Sequence, residues 1–164
     1  MLIQQNVNGS NFFNRSWAEF KVGFNDSSGN YWLGNDLLSQ LTANNSYKLK
    51  FALQSRNNRN WYFAEYSTFI VLTEADNYKL QVSGGWYSGN AGYSAFGYHG
   101  LMFSTYDRDN DLQPFRHCAA WAGGGFWYGN CAWSAVNVIR DYFAWYGLPG
   151  GYSLQSSRMW LQCK

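Results

Sequence analysis

The chain has 164 residues, of which only 13% are charged and 21% aromatic, with nine Trp and thirteen Tyr. That composition excludes intrinsic disorder, and a formal net charge of +2 with scattered Lys and Arg offers no basic stripe for nucleic acid. No apolar run approaches a membrane span, no charged segment followed by an apolar one opens the chain as a signal peptide, and the length suits one domain over 1–164.

The first readable element runs from Asn14 to Lys21, a short helix with Asn14 or Ser16 as N-cap and Glu19 in its first turn. Gly23 ends it. Tyr47 to Leu53 alternates strictly between apolar and polar residues, the pattern of a strand with one wet face. Tyr62 to Leu72 and Tyr78 to Val82 continue the alternation across the turn Glu74–Asn77, which predicts antiparallel neighbours in a half-buried sheet. Beyond Gly84 the periodicity fades, and Gly, Ser, Asn and aromatics dominate, with no internal repeat and no linker. The first half therefore reads as scaffold and the second as loops, where binding residues concentrate.

One of those loops, Ser104–Asp111, carries Asp107, Asp109 and Asp111 at alternate positions. Like charges this close repel unless a cation sits between them, and carboxylates without His or thiolate favour hard calcium. The alternative is a solvated acidic loop. An EF-hand is excluded, because the positions requiring Gly and a bidentate Glu hold Leu112 and Cys118. Backbone carbonyls from Gln113–Arg116 would have to complete a site, with Pro114 and a neighbouring disulfide holding that segment still. Cys118 and Cys131 enclose a short loop rich in Gly and Trp, and a bridge there implies an oxidising compartment. Cys163 is left over, to stay free or to pair with another chain or with a segment outside this sequence. Four N-x-S sequons begin at Asn8, Asn14, Asn25 and Asn44, in keeping with secretion.

Several blocks, in order and at matching spacing, resemble the fibrinogen C-terminal domain family. They are Trp17–Phe24, Tyr31–Asp36, Tyr87–Gly92, Phe103–Asp111, Cys118–Ala119, Phe126–Cys131, and Tyr152–Leu154 followed by Met159. The resemblance covers nearly the whole chain. It implies an α+β fold with a central antiparallel sheet, short helices and a loop-rich subdomain that holds calcium and the ligand pocket. It also implies that the chain starts inside a strand of the first sheet, without the family's opening subdomain.

Carried over residue by residue, the resemblance makes Asp109 and Asp111 the carboxylate ligands of Ca2+, joined by the carbonyls of Gln113 and Phe115. In lectin-like members, a pocket beside the calcium takes the acetyl group of N-acetylated sugars. Here its counterparts are Tyr128 as aromatic wall, a cis peptide at Asn130–Cys131, and Ala132 and Trp145. Ala132 stands where acetyl binders often carry His, and Ser134-Ala135-Val136-Asn137-Val138 replaces the family's Ser-Asn-Leu-Asn-Gly.

The expected function is a secreted, calcium-dependent recognition module that binds glycans or acetylated ligands. The alternative is a protein-interaction or matrix module that meets an extracellular receptor. A homo-oligomer would form through a preceding segment or through Cys163. Against the lectin reading, Trp127, Tyr128, Trp133 and Trp145 would instead fill a core poor in aliphatics. No enzyme is expected, since His99 and His117 are the only histidines and no nucleophile-elbow or metal-hydrolase motif frames them. His99 reads as a structural histidine and His117 as a rim residue of the calcium loop.

Overall fold

The computed structural model describes residues 1–82, 88–92, 100–131, 134–139 and 141–164. Its strands are β1 (Leu2–Asn6), β2 (Phe24–Asn25), β3 (Tyr31–Trp32), β4 (Tyr47–Ser55), β5 (Trp61–Tyr66), β6 (Phe69–Val71), β7 (Leu80–Val82), β8 (Ser88–Gly89), β9 (Phe103–Ser104), β10 (Phe126–Trp127), β11 (Ser134–Ala135), β12 (Ala144–Trp145) and β13 (Leu154–Cys163). The α-helices are α1 (Trp17–Val22), α2 (Asn35–Thr42) and α3 (Cys118–Ala122).

Helix α1 forms where expected, and Ser16 is its N-cap. The Ser16 side chain accepts from the Glu19 N–H while the Glu19 carboxylate accepts from Ser16 N–H, a closed capping box. Gly23 stops the helix at φ +92°, and a Cβ there would lie 2.6 Å from the Leu33 carbonyl oxygen. Conformation and space both require glycine.

The main sheet among the described residues has seven strands in the order β2-β3-β1-β13-β4-β5-β8, with antiparallel pairing. Two expectations need correction here. The alternation from Tyr62 to Leu72 breaks between Tyr66 and Phe69, so β6 leaves the main sheet and pairs with β7 in its own ladder. Tyr78, expected in a strand, is a buried turn residue at φ +47°, and its hydroxyl donates to Asp36 at 2.5 Å.

The second half is also not all loop. Strand β13 lies at the middle of the sheet, with β1 on one side and β4 on the other. Its inward positions include Ser156 and Ser157, which hide the apolar alternation. Ser156 Oγ donates to the Asn6 carbonyl at 3.0 Å, and Ser157 Oγ accepts from Gln4 Nε2 at 3.0 Å. Each buried hydroxyl thus keeps a partner, as burial demands.

Between the sheet and the loops lies an aromatic core. Phe103 contacts Phe20 at 5.2 Å, Trp32 at 5.9 Å and Trp127 at 5.1 Å between ring centroids. Trp127 Nε1 donates to the Tyr78 carbonyl at 2.8 Å, so its indole is both buried and satisfied. This core carries β9 and β10, and with them the two ends from which the candidate site hangs.

Candidate functional site

The acidic loop leaves β9 and folds on itself at once. Thr105 and Arg108 exchange backbone hydrogen bonds of 3.0 Å in both directions, which puts Tyr106 and Asp107 at the tip of a tight turn. Asn110 ties the next residues down, its N–H to Ser104 Oγ at 3.0 Å and its Nδ2 to the Phe103 carbonyl at 2.8 Å.

The three aspartates then take different roles. Asp107 Oδ1 accepts from the Trp17 N–H at 2.9 Å and from Thr105 Oγ1 at 2.7 Å. It satisfies one of the first-turn donors of α1 that the helix itself leaves unpaired, and places a negative charge at that terminus. Asp109 Oδ1 accepts from the Asp111 N–H at 3.2 Å and lies 4.0 Å from His117 Nε2, whose nearer partner is the Thr105 carbonyl at 3.0 Å. Asp111 accepts from Gln113 N–H at 2.7 Å and from Cys118 N–H, the first residue of α3, at 2.8 Å. Burial pushes the Asp111 carboxyl up, and the neighbouring Asp109 adds to that, against the two backbone N–H bonds.

Asp109 and Asp111 thus lie side by side, with Asp109 Oδ1 accepting from the Asp111 N–H. Both are hard oxygen donors, and the Asp109 carboxylate disfavours charge on Asp111. Among the described residues no cluster of three or more His, Cys, Asp or Glu assembles. The loop returns through Leu112 N–H to the Gly129 carbonyl at 3.0 Å, and through Gln113 Nε2 to Asn130 Oδ1. The Gln113 clamp brings the acidic loop against the second cysteine.

Cys118 and Cys131 form the expected disulfide, with Cα atoms 5.0 Å apart. The Gly-rich segment it encloses packs against 134–139, and a Cβ on Gly124 would fall 1.6 Å from the Asn137 carbonyl oxygen. Cys163 is unpaired and exposed.

Two of the residues expected to line the acetyl pocket, Tyr128 and Trp145, are interior. Tyr128 is only 2% exposed, and its hydroxyl donates to the Gly124 carbonyl at 2.7 Å. Trp145 is 0% exposed and packs on Phe51 at 4.8 Å. Both serve as core, because a chain this short of large aliphatics fills its interior with rings. No cis peptide occurs among the described residues, so Asn130–Cys131 is trans, and Cys131 meets its backbone path through φ +60°. Asn130 is exposed and Cys131 half-buried. Ala132, Trp133 and His99 lie outside the described residues.

What faces solvent is a different set. Leu112 is 70% exposed and Phe115 95%. Nearby in sequence, Arg116 lies over the Trp121 ring at 4.7 Å, and Trp121 stacks on Tyr142 at 4.0 Å. Sequence reading missed this surface and the two helix contacts of the aspartates. Periodicity has no way to register a hydrogen bond between Trp17 and Asp107, which are 90 residues apart.

A central antiparallel sheet feeding a disulfide-closed, loop-rich end with paired aspartates defines the fibrinogen-like globe class. The chain belongs to the family described as fibrinogen beta and gamma chains, C-terminal globular domain, whose model matches residues 1–162. It is 38% identical over 170 residues to angiopoietin-4 of Bos taurus, covering 96% of this chain and 33% of that protein. It is 37% identical over 137 residues to human ficolin-3, covering 84% of this chain and 45% of that protein. The fibrinogen-like globe domain of human ANGPTL2 superposes with a TM-score of 0.86 at 35% identity, covering 99% of this chain and 79% of that one. The chain thus spans about a third of the length of angiopoietin-4. Among the described residues no helix is long and apolar enough to cross a membrane.

Proposed function

We propose that this chain is an extracellular, non-enzymatic recognition module. Its partner is a protein receptor, met by the surface around the acidic loop. The observation that carries this reading is the contrast between burial and exposure: Tyr128 and Trp145 are interior, while Leu112, Phe115 and Trp121 beneath Arg116 face outward. Exposed aromatic and Arg side chains are the types that dominate protein interfaces. Secretion is supported by the disulfide.

Within this reading Asp109 and Asp111 hold a calcium ion, with the carbonyls of Gln113 and Phe115 as further ligands. The ion would neutralise the two carboxylates and fix the loop that presents Phe115. Lectin-like binding of glycans or acetylated ligands is the second reading. It is favoured by the likeness to ficolin-3 and by the exposed Asn130 beside Cys131.

The two readings separate in one binding experiment. The labelled chain is applied to cultured animal cells in calcium, with and without N-acetylglucosamine, before and after trypsin shaving of the cell surface. Binding lost on shaving and in Phe115→Ser, yet indifferent to the sugar, is the expected result. Elution by N-acetylglucosamine with Phe115→Ser unaffected would overturn the receptor reading.

A further inference from the structure

Neither the core nor the recognition surface uses the four sequons, and the fold treats their asparagines alike. Asn8, Asn14, Asn25 and Asn44 are all exposed. Among the described residues, none accepts a hydrogen bond from their side-chain Nδ2. Asn8 and Asn44 use only Oδ1, accepting from Ser10 N–H at 3.1 Å and Ser46 N–H at 3.2 Å. Outside the sequons, Asn6 Nδ2 donates to the Val136 carbonyl at 3.0 Å and Asn110 Nδ2 to the Phe103 carbonyl at 2.8 Å, while Asn45, Asn90 and Asn130 accept through Oδ1 as Asn8 and Asn44 do. Asn6, Asn30, Asn35 and Asn137 are buried outright.

We infer that Asn8, Asn14, Asn25 and Asn44 are acceptors of N-linked oligosaccharide, and that the glycan on Asn25 shields an open edge of the main sheet. The inference rests on the extracellular reading above. In the transfer, Nδ2 bonds to the anomeric carbon of an oligosaccharide carried on a lipid pyrophosphate. The anomeric C–O bond breaks, the lipid pyrophosphate leaves with the electron pair, and one amide proton passes to a base of the transferase.

Asn25 occupies a particular place. It belongs to β2, which among the described residues pairs with β3 alone and so ends the sheet. The Asp26 N–H donates to the Asn30 carbonyl at 3.1 Å. By the alternation of an antiparallel ladder, the N–H and C=O of Asn25 then face the unpaired edge. Such an edge is a template for another chain, and proteins cover it with charge, proline or bulk. A glycan supplies bulk there. Ser27, the hydroxyl residue of this sequon, is exposed and takes no part in a helix cap, unlike Ser16, which caps α1.

The chain is secreted from cultured animal cells behind a cleavable leader and digested with a glycan-releasing amidase in heavy-oxygen water. Peptide masses then report each site. All four asparagines are expected as labelled Asp, with the Asn25 label lost in Ser27→Ala and kept in Ser27→Thr. Sedimentation of Ser27→Ala is expected to show self-association at a several-fold lower concentration than the parent. Secreted, disulfide-bonded protein with four unmodified asparagines would overturn the acceptor assignment while leaving the extracellular reading standing. Unchanged self-association, or a bare Asn25 among modified neighbours, would overturn the edge role. A chain that never reaches the medium would overturn both this inference and the reading it rests on.

Discussion

Replacing Asp107 by Ala removes the contact that joins the acidic loop to α1. In the folded chain, the carboxylate accepts from Trp17 N–H at 2.9 Å and from Thr105 Oγ1 at 2.7 Å. The Trp17 N–H sits in the first helical turn and has no partner inside the helix, so truncation leaves a half-buried donor unpaired, at about 1–3 kcal/mol. Losing a negative charge at the helix N-terminus adds about 0.3–1 kcal/mol. Asp107 is itself exposed, and water takes over part of both contributions. The expected loss is about 1.5 kcal/mol, in the range of a deleted N-cap. Asp107→Asn keeps the accepting oxygen and should recover about half of that. Urea unfolding followed by Trp fluorescence measures both, at unchanged slope, in calcium and in chelator. A loss below about 0.3 kcal/mol would refute the capping role. A loss confined to calcium would make Asp107 a metal ligand instead.

Asp109→Ala combined with Asp111→Ala should abolish any calcium dependence of the melting temperature. With an affinity of about 10⁻⁴–10⁻³ M and 10 mM calcium as probe, the parent should gain about 1.4–2.7 kcal/mol, read by calorimetry against chelator. Tyr128→Phe should cost about 1–2 kcal/mol by unpairing the Gly124 carbonyl inside the core, and Tyr128→Ala about 3–5 kcal/mol through the cavity, both read from denaturant midpoints. Reduction of Cys118–Cys131, which spans 13 residues, should cost about 3 kcal/mol, measured as the midpoint shift of Cys118→Ala with Cys131→Ala. Glu74 is held below its ordinary 4.5, first by its hydrogen bond from Lys21 and next by that from Trp17. A carboxyl lowered by folding contributes stability above the unfolded value that fades as pH falls through the folded one. Glu74→Gln should therefore flatten the stability profile below about pH 4.5 and lower stability at pH 7, where the carboxylate's contribution is fully present, followed by urea titration.

Local signals in the sequence were read correctly where the cause is local. The capping box of α1 needs only Ser16, Glu19 and Gly23, and β4 buries one face along its own length. The antiparallel pairing of β6 and β7 also followed from alternation about a turn. Helix α2 went unread because its buried residues include Asn35, Ser39 and Thr42, which blur the apolar stripe. Strand β13 was missed for the same reason, its inward serines being matched to Gln4 and Asn6 at the far end of the chain. The alternate spacing of the three aspartates was legible as a local fact, whereas the turn of Asp107 toward α1 was not, its partner lying 90 residues away. Which rings are core and which are surface was not, since Tyr128 and Phe115 differ only in what the rest of the chain packs around them.

The position of β13 sets the order in which the molecule can come together. Its neighbours β1 and β4 both precede it by most of the sequence, with Leu2 opposite Trp160 and Tyr47 opposite Cys163. During synthesis, those two strands leave the ribosome with facing edges open, and they stay open until the ten residues of β13 emerge. Pairing this distant in sequence is slow and exposes strand edges to other chains. The nascent domain is therefore most vulnerable just before β13 is made. Losing Leu154–Cys163 would remove the middle of the sheet, and with it the platform that carries the acidic loop.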